Sequence, residues 1–145
     1  MSGVIVGVDG SPHSQYALEW AMREAKLLHA PLTVITVHPA IVGYWGAVTY
    51  PEGVSDREQS RQEVQHLVDK VASDIGETVP DVTVDVCTGS AAEELISASR
   101  RGDLLVVGSR GSGGFARLVM GSVSSQVVHH AVCPVVVIPE PRYAS

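Results

Sequence analysis

Five strand-sized apolar runs alternate with segments of helical period, and no other feature limits the possible folds as much. The runs are Val4–Asp9 (VIVGVD), Leu32–Val37 (LTVITV), Val82–Val86, Leu104–Val107 and Val135–Ile138. The first is apolar almost without interruption, as in a strand buried on both faces of a parallel sheet. Within residues 14–29, Ala17, Leu18, Ala21, Met22, Ala25 and Leu28 recur at steps of three and four, the stripe of a helix packed on a sheet. Ser11 stands where an N-cap belongs and Pro12 at the first helical position. A second helix is expected over Asp56–Glu77, striped by Val64, Leu67, Val68, Val71 and Ile75. A third is expected over Ala91–Arg101, and a fourth ends near His130. Residues 38–54, with two prolines, three glycines and three aromatics, read as a long loop.

The order β-α-β-α-β-α-β-α-β demands crossover connections. It therefore predicts an α/β fold: one doubly wound domain over residues 1–145, with a five-stranded parallel sheet and helices on both faces. A length of 145 residues suits one domain of this kind. At 45% apolar and 18% charged residues the chain is too oily for disorder. No apolar run approaches the roughly 18 residues of a membrane span, and no basic region leads into an apolar leader. Cys87 and Cys133 have no metal-ligand spacing, which suits a reducing compartment. The expectation is a cytoplasmic protein with no membrane partner.

Ten basic against sixteen acidic residues leave a net charge of −6, which argues against nucleic acid as a partner. The distribution is uneven. Residues 1–103 hold 15 acids against 7 bases, whereas residues 104–139 hold no acid and carry Arg110, Arg117, His129 and His130. A segment cleared of carboxylates suits an anion site, and it equally suits a core, which excludes carboxylates anyway.

In open α/β sheets ligands sit beyond the carboxyl ends of the strands. Of the segments that fall there, residues 108–124 carry the most chemistry. Gly108, Gly111, Gly113 and Gly114 let backbone N–H groups approach a ligand with no Cβ in the way. The segment resumes at Gly121-Ser122, where Ser122 is expected to cap a new helix. Glycine-lined loops and helix N-termini both present N–H donors to phosphate oxygens. Hydroxyls at Ser109, Ser112, Ser122 and Ser124, and charge at Arg110 and Arg117, extend the donor set. Asp9 can accept from ribose hydroxyls or close an Asx turn. Val37, His38 and Pro39 leave the second strand and can offer backbone edges to a base. Gly10 and Ser11 follow Asp9, Gly89 opens the third helix beside the same crevice, and Val123 follows Ser122.

Other phosphate motifs fail. A Walker A loop needs GxxxxGK[ST], but the only lysines are Lys26 and Lys70. The GxGxxA match from Gly111 follows the fourth strand, and no acid stands about 20 residues further on for a ribose. The hydrolase elbow GxSxG is absent. No nucleophile–base pair or carboxylate dyad is visible, so no catalytic residue is assigned.

The opening VIVGVDGSPHSQYALEWA and the closing LLVVGSRGSGGFARLVMGSVSSQVVHHAVCPVVVIP resemble the ends of the universal stress protein family. That family's nucleotide signature, G-2x-G-9x-G followed by Ser or Thr, is matched by Gly108, Gly111, Gly121 and Ser122. The resemblance implies strand order 3-2-1-4-5 and ATP, with Mg2+, in a crevice between strands one and four. By position, Gly108, Gly111, Gly121 and Ser122 match residues that hold phosphates and ribose, and Asp9 matches the acid that reads ribose or base. The residues after strand two match a backbone contact to adenine; Pro39 has no N–H, which leaves Val37 or His38 as any donor. The resemblance further implies a homodimer through the fifth strand, Val135, Val136, Val137 and Ile138. The function expected is an adenine-nucleotide-dependent stress regulator. A slow ATPase or phosphotransfer enzyme and a nucleotide-free interaction module remain the alternatives, and other adenine nucleotides remain possible ligands.

Overall fold

The computed structural model describes residues 3–38, 41–42, 48–49, 53–76, 78–79, 81–109 and 121–139. The elements in chain order are β1 (Val4–Gly7), α1 (Pro12–Leu28), β2 (Leu32–His38), β3 (Ile41–Val42), β4 (Val48–Thr49), α2 (Gly53–Ile75), β5 (Val82–Thr88), α3 (Ala91–Ala98), β6 (Leu104–Gly108), α4 (Ser122–His130) and β7 (Val135–Ile138). Five of the strands form one sheet in the order β5-β2-β1-β6-β7, with every neighbouring pair parallel. Counted along the chain, that is the order 3-2-1-4-5.

The strand pattern explains the two layers of helices. Successive side chains of a strand point to opposite faces. Val4, Val6 and Val8 of the β1 segment therefore meet Ala17, Leu18, Ala21, Met22 and Ala25 of α1 and Val64, Val68 and Val71 of α2. Ile5 points the other way, joining Ile35, Leu105 and Val107 beneath Leu95 and Ala98 of α3 and Val127 of α4. The central strand is buried from both sides, as its unbroken apolar run predicts.

Several boundaries differ from those expected. The stretch expected to be loop holds the short antiparallel pair β3–β4, with Ile41 opposite Thr49 and Val42 opposite Val48. These residues are β-branched, which suits strands, but two-residue runs are too short to show a period. β5 extends past Val86 to Thr88 because β2 stays paired with it as far as His38. α3 stops at Ala98, and the next residue explains why. The buried Ser99 hydroxyl donates to the Ile96 carbonyl at 2.6 Å and accepts the Val132 N–H at 3.0 Å, fastening the helix end to the approach of β7.

Candidate functional site

The site begins with a difference in strand length. Gly7, the last residue of β1, lies opposite Ile35, but β2 continues to His38; on the other side β6 continues past Val106, the partner of Val6, to Gly108. A gap thus opens above the end of β1 between two longer neighbours. It is also the switch point of the sheet, since the chain runs from β1 to β2 on one side and reaches β6 on the other.

Hydrogen-bond alternation shows what faces the gap. Val8 N–H donates to the Ile35 carbonyl at 2.8 Å, and Gly89 N–H donates to the His38 carbonyl at 2.8 Å. Odd-numbered residues of β2 therefore turn towards β1 and even-numbered ones towards β5. The Val37 carbonyl points over the end of β1, whereas that of His38 is engaged with Gly89. On β6, Ser109 N–H donates to the Ile138 carbonyl at 2.8 Å, so odd positions face β7 and Gly108 faces the β1 side. Of the Val37–His38 pair, the first turns towards the gap. The His38 ring turns elsewhere, its Nε2 sharing a hydrogen bond with Ser60 Oγ on α2.

Asp9 sits exposed at the lip of the gap. Its Oδ1 accepts the Ser11 N–H at 2.9 Å, closing an Asx turn, and Gly10 between them has a φ of +83°, where glycine is unstrained. Ser11 caps α1 as expected, its hydroxyl accepting the Ser14 N–H at 3.3 Å. The buried Ser14 hydroxyl donates to the Ser11 carbonyl at 2.9 Å. The first turn of α1 therefore already has its own acceptor, and Pro12 at its start has no N–H to offer. α3 is closed in the same way: Ser90 Oγ accepts the Glu93 N–H at 3.4 Å, and Glu93 and Glu94 place negative charge in its first turn. Gly89, just before it, has a φ of +138° that only glycine adopts readily.

α4 is built otherwise. Its N-cap is Gly121, not Ser122 as the sequence suggested, and among the described residues no side chain caps it. Ser122 is instead the first helical residue. An α-helix leaves its first N–H groups without intrahelical partners, and a bare N-terminus concentrates their partial positive charge. The N–H groups of Ser122, Val123 and Ser124 therefore form an anion-accepting end, held at the sheet by Ser109. The Ser109 carbonyl accepts the Gly121 N–H at 2.6 Å. The buried Ser124 hydroxyl lies 3.0 Å from that same carbonyl and 3.1 Å from the Gly121 carbonyl, dividing its proton between them. The hydroxyl of Ser124 thus positions the helix end, a role that spacing alone did not separate from direct ligand contact. At the far end His129 Nδ1 lies 2.7 Å from the Ser125 carbonyl, consistent with a helix C-terminus that favours donors.

Of the residues singled out in the sequence, Asp9, Gly10, Ser11, Val37, His38, Gly89, Gly108, Ser109, Gly121, Ser122, Val123 and Ser124 all fall at the carboxyl ends of the strands. Pro39, Arg110, Gly111 and Gly113 lie outside the described residues. Among the described residues no group of three His, Cys, Asp or Glu side chains is placed to hold a metal ion.

Cys87 and Cys133 are half-buried free thiols. Burial is the main cause that pushes each above the ordinary thiol range; Glu94 and Asp85 add to it at Cys87, while Arg57 and Arg101 oppose it. At Cys133 a backbone hydrogen bond opposes burial and Asp103 reinforces it. A raised pKa depletes the nucleophilic thiolate at neutral pH. Iodoacetamide is therefore expected to alkylate both more slowly than a free cysteine peptide at pH 8, and the deficit is expected to shrink as pH rises. Mass spectrometry of labelled peptides over a pH series checks this, and peptide-like rates at pH 8 would contradict it.

Together these features define an open, doubly wound α/β protein with an anion-accepting helix end beside the gap over its central strand. The chain belongs to the universal stress protein family, whose model matches residues 1–139. A universal stress protein of Mycolicibacterium smegmatis is 38% identical over 139 residues, covering 94% of this chain and 47% of that protein. The chain spans about half the length of the curated relatives it matches. Among solved structures, UspA from Lactobacillus plantarum superposes with a TM-score of 0.74 at 23% identity, covering 94% of this chain and 97% of that one. A universal stress protein solved in complex with cAMP superposes with a TM-score of 0.67 at 24% identity, covering 94% of each chain.

Proposed function

We propose that the protein is an adenine-nucleotide-binding stress-response regulator of the cytoplasm, one functional domain that works as a homodimer. The observation that carries this reading is the bare N-terminus of α4. α1 and α3 have serine caps, whereas α4 presents N–H groups that no side chain among the described residues caps, beside the gap over β1. A nucleotide's phosphates satisfy such a helix end. ATP is the ligand proposed, with Mg2+ carried on its phosphates; the proposal assigns the phosphates to Gly108 and Ser109 at the end of β6 and, by their place in the sequence, to Gly111, Gly113 and the charge of Arg110. Asp9 faces the ribose, and the Val37 carbonyl accepts from the adenine amino group. The cAMP complex of a related fold supports an adenine ligand in this architecture.

The homodimer is proposed through β7, one of the two edge strands of the sheet, whose Val135–Ile138 are only half-buried. Relatives about twice as long have room for two such units in one chain, which supports a working unit of two. Nucleotide occupancy then acts through α4, which lies between the gap and β7 in the chain.

The test is mass spectrometry of any ligand released on denaturing freshly purified protein, followed by calorimetric titration with Mg-ATP, ADP and cAMP. Co-purified nucleotide or saturable heat is the expected result. No release and no heat with any of the three would overturn the nucleotide reading in favour of a nucleotide-free interaction module.

A further inference from the structure

A parallel sheet of five strands has two edges, here β5 and β7, and the two are finished differently. Leu32 N–H donates to the Asp81 carbonyl at 2.8 Å, so odd-numbered residues of the β5 segment face β2, and Val82, Val84, Val86 and Thr88 turn their backbone groups outward. An outward row of unpaired carbonyls invites another strand. Two arginines one turn apart on α2 reach over that row. Arg61 donates from an Nη to the Val84 carbonyl at 2.6 Å, and Arg57 donates likewise to the Val86 carbonyl at 3.4 Å. Between them on the same turn, Ser60 bonds His38 at the end of β2, fixing the helix against the sheet. Glu58 Oε2 lies 3.9 Å from Arg61 Nε on the exposed side of the helix. The opposition of Arg57 to the upward shift of the Cys87 thiol agrees with its position over this edge.

β7 has no such cover among the described residues. Leu105 N–H donates to the Pro134 carbonyl at 2.9 Å and Ser109 N–H to that of Ile138, so even positions face β6, and Val135 and Val137 turn outward. No described side chain crosses them as the arginines cross Val84 and Val86.

We infer that Arg57 and Arg61 guard the β5 edge against strand addition and so confine strand-by-strand self-association to β7. The consequence is closure. Chains with one open edge pair symmetrically and stop at two, whereas chains with two open edges extend into filaments. Only the identity of the open edge rests on the β7 pairing proposed above; the guard at β5 stands on its own hydrogen bonds.

Sedimentation velocity over a wide concentration range tests the inference with four proteins: the natural chain, Arg57→Ala/Arg61→Ala, Val137→Pro, and the triple variant. Proline at 137 removes an outward N–H from an edge strand, where it is tolerated. The double variant is expected to form assemblies beyond the dimer, with weight-average mass at least about twofold above the natural chain at the highest concentration. Val137→Pro is expected to be monomeric, and the triple variant to pair again through β5. If the arginine variants, folded by circular dichroism, sediment like their parents in both backgrounds, the guard is overturned. If Val137→Pro assembles like the natural chain, the β7 pairing fails, while comparing each arginine variant with its parent still decides the guard. Should the double variant not fold, Arg61→Ala alone makes the same comparison through the shorter of the two bonds.

Discussion

Gly121→Asp is expected to lose at least about a hundredfold in nucleotide affinity while unfolding at the same temperature as the natural chain, or slightly above it. Gly121 has φ −61° and ψ 158°, an extended conformation open to any residue, so the substitution introduces no backbone strain. Aspartate is also among the favoured N-cap residues, and at this place it stabilises a helix by a few tenths of a kcal/mol relative to glycine. It does so by accepting the N–H of Val123 or Ser124, the groups proposed to hold phosphate. The variant would carry its own anion in the ligand's place and repel phosphate besides. Hydrogen bonds to a charged group contribute about 1.5–3 kcal/mol each, so losing two amounts to about 3 kcal/mol or more, a factor of about a hundred. Gly121→Asn offers a neutral cap of the same size. It is expected to fall between the two, separating occupied donors from charge repulsion. Calorimetric titration beside a thermal melt makes the measurement. A folded Gly121→Asp protein with unchanged affinity would remove α4 from the site.

The reason Gly121 carries this prediction also shows how far the sequence was legible. The alternation of apolar runs made the parallel sheet and its two helical layers readable, because β1 and β6 are buried on both faces and lack the polar interruptions of an exposed strand. Ser11-Pro12 announced the start of α1, since the cap and the fixed φ of proline are both local. At α4 the same local rule misled. Serine is the better cap by propensity, yet Gly121 takes the position, its N–H and carbonyl tied through Ser109 and the Ser124 hydroxyl to the end of β6. Those contacts span 12 and 15 positions of chain, beyond the reach of a propensity. The direction of Val37 over the gap was hidden for a similar reason. It depends on which β2 carbonyls face β1, and so on a register that only the paired strands define. Arg57 and Arg61 carry no local sign of their place over β5, because nothing in the sequence shows that α2 runs along an open edge. The glycine spacing pointed to an anion site, but it did not show that α4 begins at Gly121 with no side-chain cap among the described residues while α1 and α3 are capped by serines.

The second large effect concerns the platform that holds these parts. Leu18→Ala is expected to lower the unfolding free energy by about 3 kcal/mol, within the 2–5 kcal/mol typical of a buried leucine cut to alanine. Leu18 is completely buried, in the cluster formed by α1 with Val4, Val6, Val34 and Val106 of the three central strands. Removing its branched end leaves a void against β-branched neighbours, whose few rotamers limit how far they relax into it. For a domain of this size the loss corresponds to a fall in melting temperature of roughly 6–12 °C. Leu27→Ala on the same helix is the matched control. Leu27 is 74% exposed, and its truncation is expected to change stability by no more than about 0.5 kcal/mol. The two differ in burial and not in chemistry, so their ratio isolates packing from helix propensity, which favours alanine over leucine slightly at both sites. Nucleotide affinity of folded Leu18→Ala is expected to stay near the natural value. The Asx turn at Asp9 and the cap at Ser11 are held by their own hydrogen bonds, independently of the Leu18 side chain. Chemical denaturation of both variants, with calorimetric titration of the folded proteins, measures all of this. A loss below about 1 kcal/mol for Leu18→Ala would mean that α1 does not pack on β1 as described, and the position of the Asp9 turn over the gap would have to be reconsidered with it.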